Sequence, residues 1–362
     1  MQKNVFVLLC FLVSTHLFSQ NSTSAFIETV SRKFDKEFET GAGGVAAIVH
    51  KGKVVYKKSF GHEYAGGPEI TEDTYFSIGS VSKSVATLVI ADLIAEKKLQ
   101  LTTPLSNAFA NAPSGVEVHD LLSHNSGFRF KGNWQIEHGR TRNVLISEIM
   151  RQGLGKKEFL YNNLAFSLVE NIIEQQTGLS WTSVFHQYLA KRGLEHITIS
   201  NIENNIPLAH PHFKTPQIKK LVSVSRLPKY YPERVSSSAG VFASLKDLVK
   251  FAQLQFLPEF DYLHLPRVEA NDILNCSVSF PVKRDKIRAS YALGWRVIEL
   301  KDDKGQSSRM VYHGGYLRGI SAFVGLIKTH DLAVIMVRND ELYTPTKVVS
   351  SVWGAYLEAF SS

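Results

Sequence analysis

Ser80 and Lys83 are the two residues of this chain whose types and spacing best suit covalent catalysis. They stand three positions apart at the start of an apolar stretch that predicts a helix over Val81–Glu96. On a helix, this spacing puts both side chains on one face, with Cβ atoms about 5–6 Å apart. The free amides and the positive dipole end of the helix start would favour an alkoxide on Ser80. Lys83 would add positive charge or, once desolvated, accept a proton. Because Ser-x-x-Lys turns up about once by chance in a chain of this length, the pattern needs support from its surroundings.

Six stretches in order along the chain supply that support. The first, Thr74–Ser84 (TYFSIGSVSKS), resembles the nucleophile motif of class C β-lactamases, serine D-Ala-D-Ala peptidases and related esterases. The other five resemble later motifs of the same group: Leu121–Gly127 (LLSHNSG), Tyr161–Asn163 (YNN), Ser238–Ser244 (SAGVFAS), Tyr291–Trp295 (YALGW) and His313–Gly315 (HGG). The chain therefore resembles the serine β-lactamase-like, penicillin-binding family from about Gly44 to Asn339.

The resemblance implies a role for each matched position. Ser80 attacks a carbonyl carbon and forms an acyl-enzyme, while Lys83 and Tyr161 share the duty of general base. The resemblance leaves open which of the two takes the proton. Asn163 hydrogen-bonds Lys83 and the substrate amide. The backbone N–H groups of Ser80 and Tyr316 form the oxyanion hole, where such donors typically contribute a factor of about a hundred or more in rate.

His313, Gly314 and Gly315 stand where the family carries Lys-Thr-Gly or His-x-Gly. Glycines at this position let a substrate pair with an exposed strand edge, and His313 is expected to donate to a substrate carboxylate. Its full charge exists only below its pKa. Class C β-lactamases have Lys in place of His313, and a small hydroxyl residue in place of Tyr316. The first departure favours peptidase-like or esterase-like activity over β-lactam hydrolysis.

The elements that must position these residues follow from the hydrophobic pattern. Strand-like runs near both ends of the chain with helices between them predict an α+β fold of the α/β sandwich type. Its antiparallel sheet comes from both chain ends and is flanked by helices, and a mainly helical lobe completes a cleft for the site. We expect one catalytic domain over residues 21–362, with a sheet lobe at about 25–80 and 285–362 and a helical lobe at about 81–284. The expected elements are helices at 25–38, Val81–Glu96, Asn162–Gln176, Thr182–Lys191, Leu245–Leu254 and Thr344–Phe360, and strands at Val45–His50, Val54–Phe60, Tyr291–Leu300, Arg309–His313, Ile320–Ile327 and Leu332–Val337.

Residues 1–20 have the order of a secretory signal peptide. Lys3 precedes the apolar run Val5–Phe18, and small polar residues follow. The run is too short to span a membrane, so we expect a secreted or periplasmic protein. Of the two cysteines, Cys10 lies within this segment, and Cys276 alone cannot form an intramolecular disulfide.

Composition excludes several other classes of function. The formal net charge is +8, but the basic residues are spread along the chain without the aromatic–basic pattern of nucleic-acid binders. His210 and His212 lack the spacing of a metal site, and His124 belongs to a stretch that the family uses structurally. We therefore expect no metal, no cofactor, no nucleic-acid partner and no transmembrane segment, and we leave the oligomeric state open.

Two hypotheses of different class can be weighed from the sequence, which offers no evidence on a third, self-assembly into a structural polymer. The first is an exported serine hydrolase acting on a small-molecule or short-peptide substrate: a D-amino-acid peptide or related envelope amide, then a short-chain ester, then a β-lactam. The second is a catalytically weak penicillin-binding or scaffold protein of the same fold. The presence of Ser80, Lys83, Tyr161 and Asn163 favours the first, because a decayed site should have lost one of them.

Overall fold

The structure, a computed structural model, describes residues 21–199, 206–214, 221–223, 230–270, 272, 287–301 and 307–360. The expected signal peptide and Cys276 lie outside the described residues. The helices are α1 (residues 21–38), α2 (Ser82–Ala95), α3 (Val118–Leu122), α4 (Asn133–Glu137), α5 (Arg142–Gln152), α6 (Asn163–Thr177), α7 (Trp181–Lys191), α8 (Tyr230–Arg234), α9 (Ser236–Ala239), α10 (Leu245–Leu254) and α11 (Pro345–Phe360). The strands are β1 (Gly43–His50), β2 (Lys53–Gly61), β3 (Phe76–Ser77), β4 (Thr198–Ile199), β5 (His212–Phe213), β6 (Val222–Ser223), β7 (Val241–Ala243), β8 (Val268–Glu269), β9 (Ile287–Tyr291), β10 (Arg296–Lys301), β11 (Ser307–Leu317), β12 (Ile320–Ile327) and β13 (Leu332–Arg338). No helix among these residues is both long enough and apolar enough to cross a bilayer.

The main sheet has eight strands in the order β2-β1-β13-β12-β11-β10-β9-β8, and every neighbouring pair is antiparallel. β1 lies between β2 and β13, with Val45 opposite Val337. The sheet is thus built from the two ends of the chain, and the predicted α+β fold with an antiparallel sheet is confirmed. The proposed lobe boundaries stay a prediction.

The strands β1, β12 and β13 are buried on both faces of the sheet, and alternate residues of β1 face different cores. Val45 and Ala47 pack with the helices that follow Ser80, while Ala46 and Ile48 pack with α1 and α11. This alternation follows from the two-residue period of a strand. The apolar side chains of α1 recur at helical spacing because they bury one face of the helix. Phe26, Val30, Phe34 and Phe38 all lie in the core that also contains Ala46 and Ile48.

A buried ion pair ties α1 to the last strand of the sheet. Arg338 and Asp340 are fully buried, and the Arg338 Nη2 atom lies 3.0 Å from Asp340 Oδ2. Arg338 also donates to the carbonyls of Glu37 (2.9 Å) and Thr40 (2.6 Å), at and just beyond the end of α1. These carbonyls have no partner within the helix, so the guanidinium supplies the bonds that a helix end lacks.

The prediction of one strand over Tyr291–Leu300 was wrong. β9 ends at Tyr291 and β10 begins at Arg296, and the two residues pair across a tight turn. Gly294 in that turn has φ +71°, a left-handed conformation that favours glycine, and a Cβ atom there would lie 2.9 Å from the Lys83 carbonyl oxygen. The turn therefore presses against α2 and brings Tyr291 and Arg296 to the region of Lys83.

Candidate active site

Ser80 lies in a 3₁₀ turn, Gly79–Val81, that leads directly into α2. Gly79 has φ +48°, and a Cβ atom there would lie 3.1 Å from the backbone nitrogen of Tyr316. The glycine therefore lets this turn lie close against β11. Ser80 itself is half-buried, while Lys83 is fully buried one turn further along.

The Lys83 amine has three polar neighbours. Its Nζ atom lies 2.6 Å from Asn163 Oδ1, 2.7 Å from the Ser238 carbonyl oxygen and 3.3 Å from Ser80 Oγ. A neutral amine has two N–H donors and one lone pair. Asn163 Oδ1 and the Ser238 carbonyl can only accept, so they take both N–H groups and leave the lone pair for the Ser80 proton.

The charge state of Lys83 fits that arrangement. Burial lowers the pKa of the Lys83 amine well below its ordinary value of 10.5, and the nearby Arg296 guanidinium lowers it further. Both effects disfavour the ammonium form. The geometry and the environment together favour a neutral amine that can accept a proton from Ser80.

Tyr161 lies beneath this amine. The Lys83 Nζ atom is 4.6 Å from the centroid of the Tyr161 ring. Desolvation raises the pKa of the Tyr161 phenol to about 12, although Arg296 and the Ser80 hydroxyl both lower it. The phenol is therefore neutral near pH 7 and is better suited to pass a proton on than to hold the negative charge of a resting base.

Asn162 and Asn163, at the start of α6, have different roles: the first caps the helix and the second contacts Lys83. Asn162 is the N-cap, and its Oδ1 atom accepts from the Ala165 N–H at 3.0 Å. Its Nδ2 group donates to the Phe130 carbonyl at 2.9 Å. Asn163, the first helical residue, is thereby fixed with its amide toward Lys83.

The two expected oxyanion donors are brought together by β11. β10 begins at Arg296 opposite Tyr312, so beyond Tyr312 the β11 edge faces the Ser80 turn instead of β10. A Cβ atom on Gly315 would lie 2.0 Å from the Ile78 carbonyl oxygen, so only glycine allows this approach. The backbone N–H of Tyr316 thus lies beside the turn that carries the N–H of Ser80.

His313 is placed differently from the expected donor to a substrate carboxylate. Its ring is fully buried, with Nδ1 2.9 Å from the Gly314 carbonyl and Nε2 2.9 Å from the Tyr291 hydroxyl. The carbonyl can only accept, so Nδ1 carries the proton and Nε2 accepts from Tyr291. Burial, with Lys83 and Arg296, lowers the pKa of His313 well below 6.5. In this structure His313 is therefore a neutral internal group that holds the Gly314 peptide, and it cannot offer a charge to substrate.

Arg296 is the site residue that sequence reasoning missed. Its Cζ atom lies 5.3 Å from the centroid of the Tyr161 ring and 5.8 Å from that of Tyr291. Its guanidinium also lies 3.7 Å from Asp272. The signal in the sequence was its position directly after the matched stretch Tyr291–Trp295. Because it is a permanent cation, it supplies the fixed positive charge that His313 cannot.

His124 packs against Tyr161 and accepts a hydrogen bond from the backbone of Asn162. It is buried, its Nδ1 atom accepts from the Asn162 N–H at 3.2 Å, and its ring lies 4.2 Å from the Tyr161 ring. Burial lowers its pKa well below 6.5, so it packs as a neutral ring. The other histidines considered for a metal lie elsewhere: His212 contacts the Asn339 carbonyl, and His210 stacks on Tyr64. No group of three metal-ligating side chains occurs among the described residues.

Comparisons with known proteins concern the family and the fold of the chain. A family model described as "Beta-lactamase" matches residues 31–349. A curated relative, the "Putative penicillin-binding protein PbpX" of Bacillus subtilis (strain 168), is 26% identical over 227 residues, covering 59% of this chain and 55% of the relative. The "Teichoic acid D-alanine hydrolase" of Staphylococcus aureus is 24% identical over 163 residues, covering 43% of this chain and 40% of the relative. The chain thus spans about half the length of the curated relatives it matches.

Solved structures show the same fold. An octameric penicillin-binding protein homologue from Pyrococcus abyssi superposes with a TM-score of 0.72 at 20% identity, covering 93% of this chain and 76% of that one. The crystal structure of SurE superposes with a TM-score of 0.71 at 17% identity, covering 93% and 77%. At these identities the likeness concerns the fold alone.

Proposed function

The chain belongs to the Beta-lactamase family, and from that premise we propose that it is an exported serine hydrolase that forms an acyl-enzyme on Ser80. The observation that carries the proposal is the set of contacts at the Lys83 amine. When the buried amine is neutral, as its lowered pKa favours, these contacts leave its lone pair facing the Ser80 hydroxyl. Export rests on the signal-peptide pattern of residues 1–20.

The proposed reaction has two halves. Lys83 takes the proton of Ser80 as Oγ bonds to the substrate carbonyl carbon, and the carbonyl π electrons move to oxygen. The N–H groups of Ser80 and Tyr316 donate to that oxyanion. The intermediate collapses with loss of an amine or alcohol, which takes a proton delivered from Lys83 through Tyr161. Water then attacks the ester and releases the acid, and Ser80 regains its proton.

The charge at the site ranks the substrates. Arg296 supplies a fixed cation next to Tyr161, so a substrate with a carboxylate near the scissile bond is favoured over one with an ammonium group. A short peptide ending in a D-amino acid meets that condition. The D-alanyl ester suggested by the name of the Staphylococcus aureus relative carries an ammonium group, so the charge of Arg296 disfavours it, and only the name of that relative supports it. The cation neither favours nor disfavours a neutral short-chain ester. A penicillin meets the carboxylate condition, but it ranks below the peptide because His313 stands where class C β-lactamases have Lys.

Intact-mass measurement with a penicillin tests the nucleophile. Wild-type protein should gain the full mass of the drug, and Ser80→Ala should gain none. Ser183→Ala, which removes an exposed serine of α7, should label like wild type. Labelling of Ser80→Ala at the wild-type rate would show that Ser80 is not the nucleophile.

The same time course bears on the alternative of a weak penicillin-binding or scaffold protein. A wild-type adduct that persists, with no turnover of peptide or ester, would favour that alternative. Faster cleavage of a peptide that ends in a D-amino acid with a free carboxylate than of the same peptide with a C-terminal carboxamide would support both the hydrolase and the role of Arg296. Equal rates on the two peptides would remove the carboxylate preference and leave the acyl-enzyme untouched.

A further inference from the structure

The second acceptor of the Lys83 amine stands on a short helix that lacks a cap of its own. The Ser238 carbonyl belongs to α9, which has four residues. Its N-cap residue, Val235, makes no side-chain capping bond. The internal bonds of α9 run from the Ala239 N–H to the Val235 carbonyl (3.0 Å) and from the Gly240 N–H to the Ser236 carbonyl (2.9 Å), so the first N–H groups of the helix need an acceptor from outside it.

Glu170 of α6 supplies the missing cap. Its Oε1 atom accepts from the Ser237 N–H at 2.8 Å and from the Ser236 hydroxyl at 3.0 Å. The side chain is buried, with 5% exposed. Glu170 stands two turns after Asn163, and therefore on the same face of α6. One helix thus controls both acceptors of Lys83: Asn163 directly, and the Ser238 carbonyl through Glu170.

Arg142 forms an ion pair with the buried carboxylate of Glu170. Its Nη2 atom lies 3.1 Å from Glu170 Oε2 and donates to the Ser167 carbonyl at 2.8 Å. Its Nη1 group donates to the Arg234 carbonyl, two residues before α9 begins. The paired charge and its hydrogen bonds offset the desolvation of both ions, and they fix the chain that enters α9.

We propose that Glu170 is a positioning residue for the general base. Its carboxylate holds α9 so that the Ser238 carbonyl occupies one N–H of Lys83 and turns the lone pair toward Ser80. The proposal rests on the proposed function, since it concerns the residue that takes the Ser80 proton. The Glu170 carboxylate contacts Ser236, Ser237 and Arg142, and it acts on Lys83 through the position of α9.

The test compares Glu170→Gln with Glu174→Gln. Glu174 is a matched control, because its carboxylate accepts from the Trp181 N–H (2.9 Å) and so caps α7 from the same helix. Both variants should lower the thermal midpoint of unfolding. In single-turnover labelling by a penicillin or a phosphonate, Glu170→Gln should lower the acylation rate constant about ten-fold or more and leave the non-covalent dissociation constant within two-fold of wild type. Glu174→Gln should change neither constant beyond two-fold.

Two further measurements keep the proposal open to refutation. Ser236→Ala removes one donor to Glu170 and should slow acylation less, in the same direction. Amide hydrogen exchange over residues 236–239 should speed up at least ten-fold in Glu170→Gln and stay unchanged in Glu174→Gln. Hydrogen exchange needs no activity, so it tests whether Glu170 stabilises α9 even if no reagent labels the wild-type protein. Absence of labelling would contradict the proposed function and not the role of Glu170 in holding α9.

A purely structural role would give a different pattern. Glu170→Gln would then label at the wild-type rate while its thermal midpoint falls as in Glu174→Gln. That result, or unchanged hydrogen exchange over α9, would overturn the proposal.

Discussion

Replacing Arg296 by glutamine should move the pH dependence of Ser80 acylation to higher pH. The Lys83 Nζ atom and the Arg296 Cζ atom lie 4.6 and 5.3 Å from the centroid of the same Tyr161 ring. The two cationic groups are therefore no more than about 10 Å apart, and at an effective dielectric constant of about 20 their repulsion is at least about 1.7 kcal/mol. That energy corresponds to about 1.2 pKa units. Asp272 beside Arg296 offsets part of it, so we expect a shift of about one unit.

The sign follows from the reactive form of Lys83. In the proposed mechanism acylation requires the neutral amine, and the Arg296 cation favours that form by lowering the Lys83 pKa. Removing the cation raises the pKa, so the acid limb of the rate profile moves up by about one unit. On the acid limb the labelling rate of Arg296→Gln should be about ten-fold lower than that of wild type at the same pH. On the alkaline plateau the two rates should be equal.

The assay is the second-order rate of labelling by an uncharged serine-directed phosphonate between about pH 5 and 10, a range that brackets a lysine whose pKa is depressed by burial. A neutral reagent keeps the charge of the substrate out of the comparison. Arg296→Lys preserves the cation and should keep the wild-type profile. Arg309→Gln, which removes an arginine paired with Glu299 on the neighbouring strand, should also leave it in place. A profile for Arg296→Gln that superimposes on wild type, or an equal shift in Arg296→Lys, would refute the electrostatic argument.

Three other variants test separate contacts. Tyr161→Phe should slow single-turnover acylation about a hundred-fold, because it removes the phenol that passes the proton, and an unchanged rate would exclude the phenol from the mechanism. Tyr291→Phe leaves the buried Nε2 atom of His313 without its donor and should lower the free energy of unfolding in urea by about 1–3 kcal/mol. Unaltered stability would contradict that hydrogen bond. Asp340→Ala leaves Arg338 as an unpaired buried charge and should cost about 3–5 kcal/mol in the same measurement, whereas a loss below about 1 kcal/mol would show that the pair contributes little.

The parts of the site that could be predicted are those set by local spacing. Ser80 and Lys83 meet because three residues make about one helical turn, and Asn163 follows a capping asparagine that starts α6. The strands β1, β2, β12 and β13 have apolar runs bounded by turn residues, and the structure has them within one or two residues of the expected bounds.

The parts that could not be predicted depend on contacts between distant segments. Arg296 reaches Tyr161 only because the chain turns at Gly294, and the apolar residues on both sides of that glycine look like one strand. The inward direction of the His313 ring depends on the register of β11, which a single strand does not reveal. Glu170 looks like an ordinary helix residue until α9 lies against α6.

The place of β1 between β2 and β13 has a consequence for the order in which the protein can fold. During synthesis β1 and β2 leave the ribosome early. β13 leaves only after almost all of the described chain has been made. Contacts between such distant segments form slowly, because the entropy of closing the intervening chain is lost before the contact is gained. Until β13 arrives, the inner edge of the β1–β2 hairpin is an unpaired strand edge that other chains can join. β11, which carries the Tyr316 amide, reaches β1 only through β12 and β13. The candidate site therefore forms only after β13 has been made, and a nascent chain that stops before β13 has an aggregation-prone edge and an incomplete site.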